Sequence, residues 1–232
     1  MALPVFYIDT TATHDVFNLN EETSKHIVQV LRMKQDDKLH LTDGKGSLLK
    51  ASIVDAHKKA CAVKVDSRSF KEANIKKLSI AISLLKNASR LEWFLEKATE
   101  IGVSEIIPML CERTEKQHFR YDRMQNILVA AMIQSQQVWL PQLHQPTAFD
   151  KVISDSNYVD KLIAHCEEEK KEAVSAYSTS TSAIILIGPE GDFTPSEIEA
   201  ALSVGFKPVT LGNARLRTET AGVVAATLLS IV

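Results

Sequence analysis

The sequence predicts an α/β protein in two parts: a small β-rich N-terminal part and a larger part built on a mostly parallel sheet. Three observations carry that prediction. Short strand-like segments with a single helix fill the first seventy or so residues, strand-length apolar runs alternate with helical patterns from residue 78 onward, and the polar, aperiodic stretch Ser69 to Lys77 separates them. A chain of 232 residues with 45% hydrophobic and 24% charged residues is long enough to bury a core in one large or two modest domains. The start, MALPVFYIDT, has no basic stretch followed by a sustained apolar run, so no signal peptide is read there and a cytoplasmic location is expected.

In the N-terminal part, Val5 to Ile8 is the first expected strand. Ser24 is expected to cap a helix carrying Ile27, Val30 and Leu31 on one side. Lys38 to Thr42 and Ser47 to Val54 flank Asp43-Gly44-Lys45-Gly46, a hairpin turn, and Cys61 to Val65 alternates as a half-buried strand does. Together these segments predict a small β-barrel.

Leu78 to Leu85 is a strongly apolar strand. Asn87 or Ser89 then caps a helix in which Leu91, Phe94, Leu95, Ala98 and Ile101 recur at helical spacing and which Gly102 ends. Ile106 to Leu110 is the next strand, Tyr121 to Gln137 the next helix, and Leu162 to Ala164 a further short strand. The charged run at 167 to 172, which includes Glu169, reads as a solvated loop or helix face, and Ser175 to Ser182 as a polar loop.

Ala183 to Ile187 is a short apolar run stopped by Gly188-Pro189, which fits a strand buried on both faces. After it, Thr194-Pro195-Ser196-Glu197 forms a capping box with proline at the first helical position, opening a helix that runs to about Val204 and stops at Gly205. Val209 to Leu211 is the last expected strand. It ends at Gly212, and an apolar helix closes the sequence. Strand, glycine turn and helix thus occur twice. Open α/β sheets bind ligands at the carboxyl ends of their strands, where both turns would lie. Glycine lets a flat ligand approach the main chain, whose amide and carbonyl groups can read an adenine edge. Neither GxGxxG nor GxxxxGK[ST] is present, which argues against a dinucleotide or a nucleoside triphosphate.

The remaining composition narrows the chemistry. The three cysteines lie far apart without a CxxC pair, and the seven histidines are scattered singly, so reduced thiols and metal-free catalysis are expected. Up to residue 77 there are 13 basic against 10 acidic residues, and beyond it 14 against 19, so the basic excess belongs to the N-terminal part. That asymmetry alone is too mild to imply a nucleic-acid partner. Glu190 stands between two glycines, and Arg215, Arg217 and Glu219 crowd the start of one helix, where the dipole disfavours arginine. A negative or electron-rich group is expected nearby.

GPEGDF at 188 to 193, followed by LGNARLRTETA at 211 to 221, resembles the paired signature of the RsmE family of the SPOUT methyltransferase superfamily. The likeness extends to Leu84-Leu85-Lys86, EWFLEKATEIG at 92 to 102, Gln134-Ser135 with Leu140-Pro141, His26, Val30-Leu31-Arg32 and the 43 to 46 turn. It departs from the usual pattern at Asp192, where a glycine is common, at Ala214 in place of arginine, at Arg215 in place of an aliphatic residue, and at Ile133 and Gln137 around Gln134-Ser135.

The resemblance implies a PUA-like RNA-binding β-barrel over 1–72 and a SPOUT α/β domain with a deep trefoil knot over 73–232. It implies S-adenosyl-L-methionine as cofactor, held by Leu186, Ile187, Gly188, Pro189, Glu190, Gly191, Leu211, Gly212, Leu216, Arg217, Thr218, Glu219, Thr220 and Ala221. It further implies methylation of a uridine N3 in 16S rRNA or the small ribosomal subunit and a homodimer, while the short apolar runs and the scattered histidines lead to an expectation of no membrane and no metal partner. For catalysis Arg217 is the first candidate and Arg215 the second, as cations facing the charge that spreads over a deprotonated uracil. Glu190 either accepts the N3 proton or binds amides of its own turn. Arg32, with Lys34, Lys45 and His26, is the candidate RNA contact, although His26 also fits a satisfied histidine beside a helix cap. Two other functions fit the same residues: a non-catalytic RNA-binding ribosome-assembly factor, and a methyltransferase of another RNA such as tRNA.

Overall fold

The computed structural model describes residues 3–9, 14–115, 118–168 and 170–230, so Glu169 of the charged run lies outside the described residues. The chain forms two compact units, Met1–Ala73 with Met132–Leu140, and Asn74–Ala131 with Pro141–Val232.

In the first unit, β1 (Val5–Tyr7), β2 (Val16–Asn18), α1 (Glu21–Lys25), a π-helical turn (His26–Val30), β3 (Lys38–Thr42), β4 (Ser47–Asp55) and β5 (Ala62–Phe70) follow in order. The strands make a five-stranded sheet ordered β1-β3-β4-β5-β2, parallel only between β1 and β3. Leu39, Leu41, Ala51, Ile53, Cys61 and Val63 fill its core with Phe6 and Ile27. At the β3–β4 turn, Asp43 accepts hydrogen bonds from the amides of Lys45 and Ser47 and from the Ser47 hydroxyl. Glycine is required at Gly46, where φ is 95° and a Cβ would sit 2.6 Å from the Trp139 ring.

The helix of this unit differs from expectation in two ways. Its cap is Asn20, whose Oδ1 accepts from the Thr23 amide at 2.8 Å, and not Ser24. Ser24 is buried one turn further on, where its hydroxyl donates to Leu19 O and accepts from Cys61 N. The expected apolar stripe is also broken. The π turn inserts an extra residue per turn and rotates the residues after it, so Ile27 is fully buried while Val30 and Leu31 are 68% and 44% exposed. Strand β5 continues to Phe70, which shortens the predicted linker.

The second unit runs β6 (Lys77–Ser83), α2 (Ala88–Ile101), β7 (Glu105–Leu110), α3 (Tyr121–Gln134), β8 (Gln142–Leu143), β9 (Thr147–Ala148), α4 (Phe149–Ser154), β10 (Asp160–Ala164), β11 (Glu172–Ala173), a 3-10 turn (Val174–Tyr177), β12 (Ser182–Ile187), α5 (Pro195–Ser203), β13 (Lys207–Thr210) and α6 (Thr218–Ser230). The last residues of α3 group with the first unit. Eight strands form one sheet ordered β11-β13-β10-β12-β6-β7-β8, with β9 also on β7, and every pairing is parallel. Parallel strands covered on both faces read as continuous apolar runs, and Ala183 to Ile187 of β12 are all buried. The final strand ends at Thr210, which leaves Leu211 in the following loop and not in the strand as expected. From β6 the chain moves outward to β7, whereas from β12 it crosses β10 to reach β13. The carboxyl ends of β10, β12 and β13 therefore open on one side of the same edge, where doubly wound sheets bind ligands.

Helix α2 starts at Asn87, whose side chain accepts from Ser89 N, and ends at Gly102 with φ 95°. Helix α6 packs on α2 and β6 at Gly222, where a Cβ would lie 2.5 Å from the Phe94 ring and 3.1 Å from Ile82. Among the described residues, no helix is long and apolar enough to cross a membrane.

At the amino ends of β6 and β7, the buried Glu105 carboxylate accepts hydrogen bonds from Ser79 and Tyr158 and pairs with Lys77 at 3.2 Å. Burial pushes its pKa up, but the hydrogen bonds from Ser79, Tyr158 and Lys77 outweigh burial and hold it below the ordinary carboxylate range. A depressed folded pKa contributes stability that is present above the unfolded value and is lost as pH falls through the folded one. Glu105→Gln is accordingly expected to lower stability at neutral pH by about 1–3 kcal/mol, with the difference shrinking below roughly pH 4. Urea unfolding at neutral and acid pH measures both.

Candidate active site

Three loops leave the carboxyl ends of adjacent strands and enclose a cavity of about 640 Å³, within the roughly 300–1,000 Å³ of small-molecule sites. The first follows β12. Its end is fixed by the α5 capping box, in which Thr194 and Glu197 satisfy each other's amides. Phe193 is buried, and its ring lies 3.1 Å from where a Cβ on Gly188 would stand, so a side chain there would press on the ring and glycine lets the two pack closely. Asp192 N donates to Pro189 O at 2.9 Å and closes the turn, with Asp192 in the left-handed region at φ 64°. The departure at this position thus keeps a backbone shape that glycine adopts freely and aspartate tolerates. From outside, Arg113 donates to the carbonyls of Gly191 and Phe193 at 2.7 and 3.3 Å.

The second loop, 211 to 217, joins β13 to α6. Gly212 has φ 132°, and among the described residues no atom lies within 4 Å of where a Cβ would stand, so its backbone faces open space. Thr210 Oγ1 donates to Gly212 O and accepts from Gly212 N. In the first turn of α6, Thr218 and Glu219 are buried and Glu219 Oε1 lies 3.6 Å from Arg90 Nε. Glu219 Oε2 is buried without a hydrogen-bond partner among the described residues.

The third loop follows β10, a segment whose sequence carries no site signature. Ala164, His165 and Cys166 line the cavity with Lys171, whose ammonium donates to His165 O and Glu167 O at 2.6 and 2.7 Å. Cys166 N donates to Asp192 Oδ2 at 2.7 Å, which joins this loop to the first.

Of the residues predicted to hold a cofactor, Ile187, Gly188, Pro189, Glu190, Leu211, Gly212, Leu216, Arg217, Thr218 and Ala221 come together on the cavity wall. Leu186, Gly191, Glu219 and Thr220 are not on it. Arg215 and Arg217 both line it and are otherwise exposed, and Asn213 and Ala214 complete that loop. Glu190 is exposed, and its Oε1 accepts from the Lys86 amide at 3.3 Å, outside its own turn. The candidate RNA residues sit in the first unit. Arg32 is exposed with φ 56° two residues after the π turn, the Lys34 backbone N–H donates to Asp37 Oδ2 at 2.7 Å, His26 meets Phe6 edge to face at 5.8 Å, and Lys45 is exposed at the β3–β4 turn. Among the described residues, no group of three or more His, Cys, Asp or Glu is placed to hold a metal.

Comparison with known proteins agrees with this architecture. The family model for the RNA methyltransferase domain matches residues 71–230, and that for the RNA methyltransferase PUA domain matches 19–66. The probable rRNA-methyltransferase of Porphyromonas gingivalis is similar over 97% of this chain and 95% of its own, at 40% identity and a TM-score of 0.90. Ribosomal RNA small subunit methyltransferase E of Neisseria gonorrhoeae, solved bound to S-adenosyl methionine, is similar over 97% and 95%, at 26% identity and a TM-score of 0.86. The Synechocystis protein of the same name is 30% identical over 209 residues, 86% of this chain and 68% of its own length.

Of the three thiols, that of Cys166 lies on the cavity wall. Burial pushes Cys111 up to about 12, and burial also raises Cys61 and Cys166, the last with help from Asp192. Only Cys166 is exposed. Iodoacetamide at mildly alkaline pH is expected to label Cys166 alone in the folded protein, slowly, and more slowly still when S-adenosylmethionine is added. Peptide mass mapping with and without the compound checks this.

Proposed function

Because this chain belongs to the RNA methyltransferase family, we propose that it methylates N3 of a uridine in small-subunit ribosomal RNA, using S-adenosylmethionine. One observation carries the reading: two glycine-bearing strand-end turns wall one cavity, and the second of them also brings two arginines, Arg215 and Arg217, onto its lining. The cavity fits the donor. Its size suits a nucleoside-sized ligand, and the open face of Gly212 admits a flat ring against the backbone.

When bound, S-adenosylmethionine supplies an electrophilic methyl group on a sulfonium with a neutral leaving group. The protein's share is mostly positioning. Gly188, Pro189, Leu211, Gly212, Leu216 and Ala221 form the walls that orient the donor, while the uracil N3 must lose its proton before it can attack. Negative charge then spreads over O2 and O4, and Arg217, with Arg215 beside it, stabilises that charge. Glu190 is the candidate acceptor of the proton, being an exposed carboxylate on the cavity wall. N3 lies on the pairing edge, so the uridine must be unpaired or drawn out of its stack. The PUA-like unit grips RNA phosphates through Arg32, Lys34 and Lys45. We also propose that α6 threads an earlier loop as a trefoil knot and that its half-buried Val223, Val224 and Leu228 face a second copy in a homodimer. The same reading proposes a cytoplasmic location, where a ribosomal RNA substrate would be met.

Arg217→Ala is expected to keep donor affinity by calorimetry and to lose about 10²–10³-fold in methyl transfer. Arg32→Ala is expected to weaken RNA binding and flatten its salt dependence, with transfer at saturating RNA little changed. Mass mapping of nucleosides from a deletion strain is expected to show loss of N3-methyluridine from 16S rRNA. A loss from tRNA instead would assign another substrate, and a folded protein with no thermal shift from either the donor or its demethylated product would mark a binding module.

A further inference from the structure

We infer that Asp192 is a positioning residue for the cofactor, one whose carboxylate fastens the turn after β12 to the end of β10 and so sets the width of the cavity. The inference rests on the proposed donor-binding role of that cavity. Both oxygens are engaged: Oδ2 accepts from Cys166 N at 2.7 Å and Oδ1 from Phe193 N at 2.8 Å. Cys166 and Asp192 both line the cavity, on different loops, so the bond between them spans two of its walls. Charged hydrogen bonds of this length are the stronger kind. A turn that needed only φ 64° would be served by glycine, which adopts it without strain. Aspartate adds a link that glycine lacks.

The remaining bonds of the turn point the same way. Asp192 N closes it on Pro189 O, while Arg113 holds the carbonyls of Gly191 and Phe193 on either side of Asp192. Those contacts fix the turn to itself and to the segment after β7. The Asp192 carboxylate instead ties this turn to the β10 loop, whose own shape Lys171 braces through His165 O and Glu167 O. With both oxygens accepting from amides, Asp192 holds geometry and does not act as a base.

Asp192→Gly and Asp192→Asn separate the link from the backbone shape, because both residues tolerate the left-handed region. Glycine removes both side-chain bonds, and asparagine keeps one acceptor oxygen. Calorimetry and steady-state kinetics on the full chain are expected to give a Kd and KM for S-adenosylmethionine raised about tenfold by Asp192→Gly and less by Asp192→Asn. The kcat at saturating donor and the KM for RNA are expected to stay near those of the parent, a split that loss of stability alone does not produce. Donor affinity within twofold of the parent in both variants would overturn the inference, as would a fall in kcat at unchanged KM. A parent chain that binds no donor would overturn the inference together with the function it rests on, whereas a binding parent with unaffected variants overturns the inference alone.

Discussion

The cavity depends on how closely α6 approaches α2 and β6. At Gly222 there is no room for a side chain between the helix and Phe94, and the neighbouring buried positions on the same helix are Ala225 and Ala226. Small residues let the backbones meet, and the sheet beneath fixes where they meet. The loop 211 to 217 is therefore anchored at both ends, by β13 on one side and by the seated first turn of α6 on the other. At the far end of α6, Lys76 donates to Leu229 O and Ser178 O, which satisfies a terminal carbonyl and holds the helix against the 3-10 turn region. Burial lowers the pKa of that lysine. A bulkier residue at 222 would lift the helix, and the arginine-bearing loop would move with it.

That placement has an electrostatic consequence. The amino end of a helix carries partial positive charge, and Arg215 and Arg217 add two full charges just before it. Locally this is unfavourable, and Glu219 in the first turn, 3.6 Å from Arg90, offsets it only in part. The arrangement places two positive charges on one wall of a cavity whose other two walls carry Glu190 and Asp192 on the first loop and Lys171 on the third. A neutral ligand gains little from such a field, whereas a base that becomes anionic gains much, because the charges are already in place when the proton leaves.

Much of the fold is legible in the sequence because its signals are local. The capping box at Thr194, the cap at Asn87, Gly102 as a helix stop and the apolar run of β12 each specify one element through neighbouring residues. Sequence reasoning fails where tertiary structure decides. Ser24 looks like a cap, but its hydroxyl is committed to Leu19 and Cys61, residues that meet only in the folded sheet. The π turn after Lys25 has no signature in spacing, so helical periodicity puts Val30 and Leu31 on the wrong side. At the site, the two motif-bearing loops can be found because glycine and charge mark them. The β10 loop carries no such mark: Ala164, His165 and Cys166 become wall residues only because β10 is inserted between β12 and β13.

The same topology separates two kinds of work within one cavity. Binding surfaces come from backbone shape, which depends on Gly188 packing against Phe193, on the left-handed Asp192 and on the open Gly212. In the proposed reaction, the chemistry falls to the few side chains that reach the cavity with charge. A methyl transfer from a sulfonium suits this division, since the leaving group needs no acid and the reaction asks mainly for alignment and for a stabilised anionic nucleophile. The proposed division follows from where each residue sits: Gly188, Asp192 and Gly212 stand close to strand ends held by the sheet, while the arginines lie further along the 211 to 217 loop, just before α6.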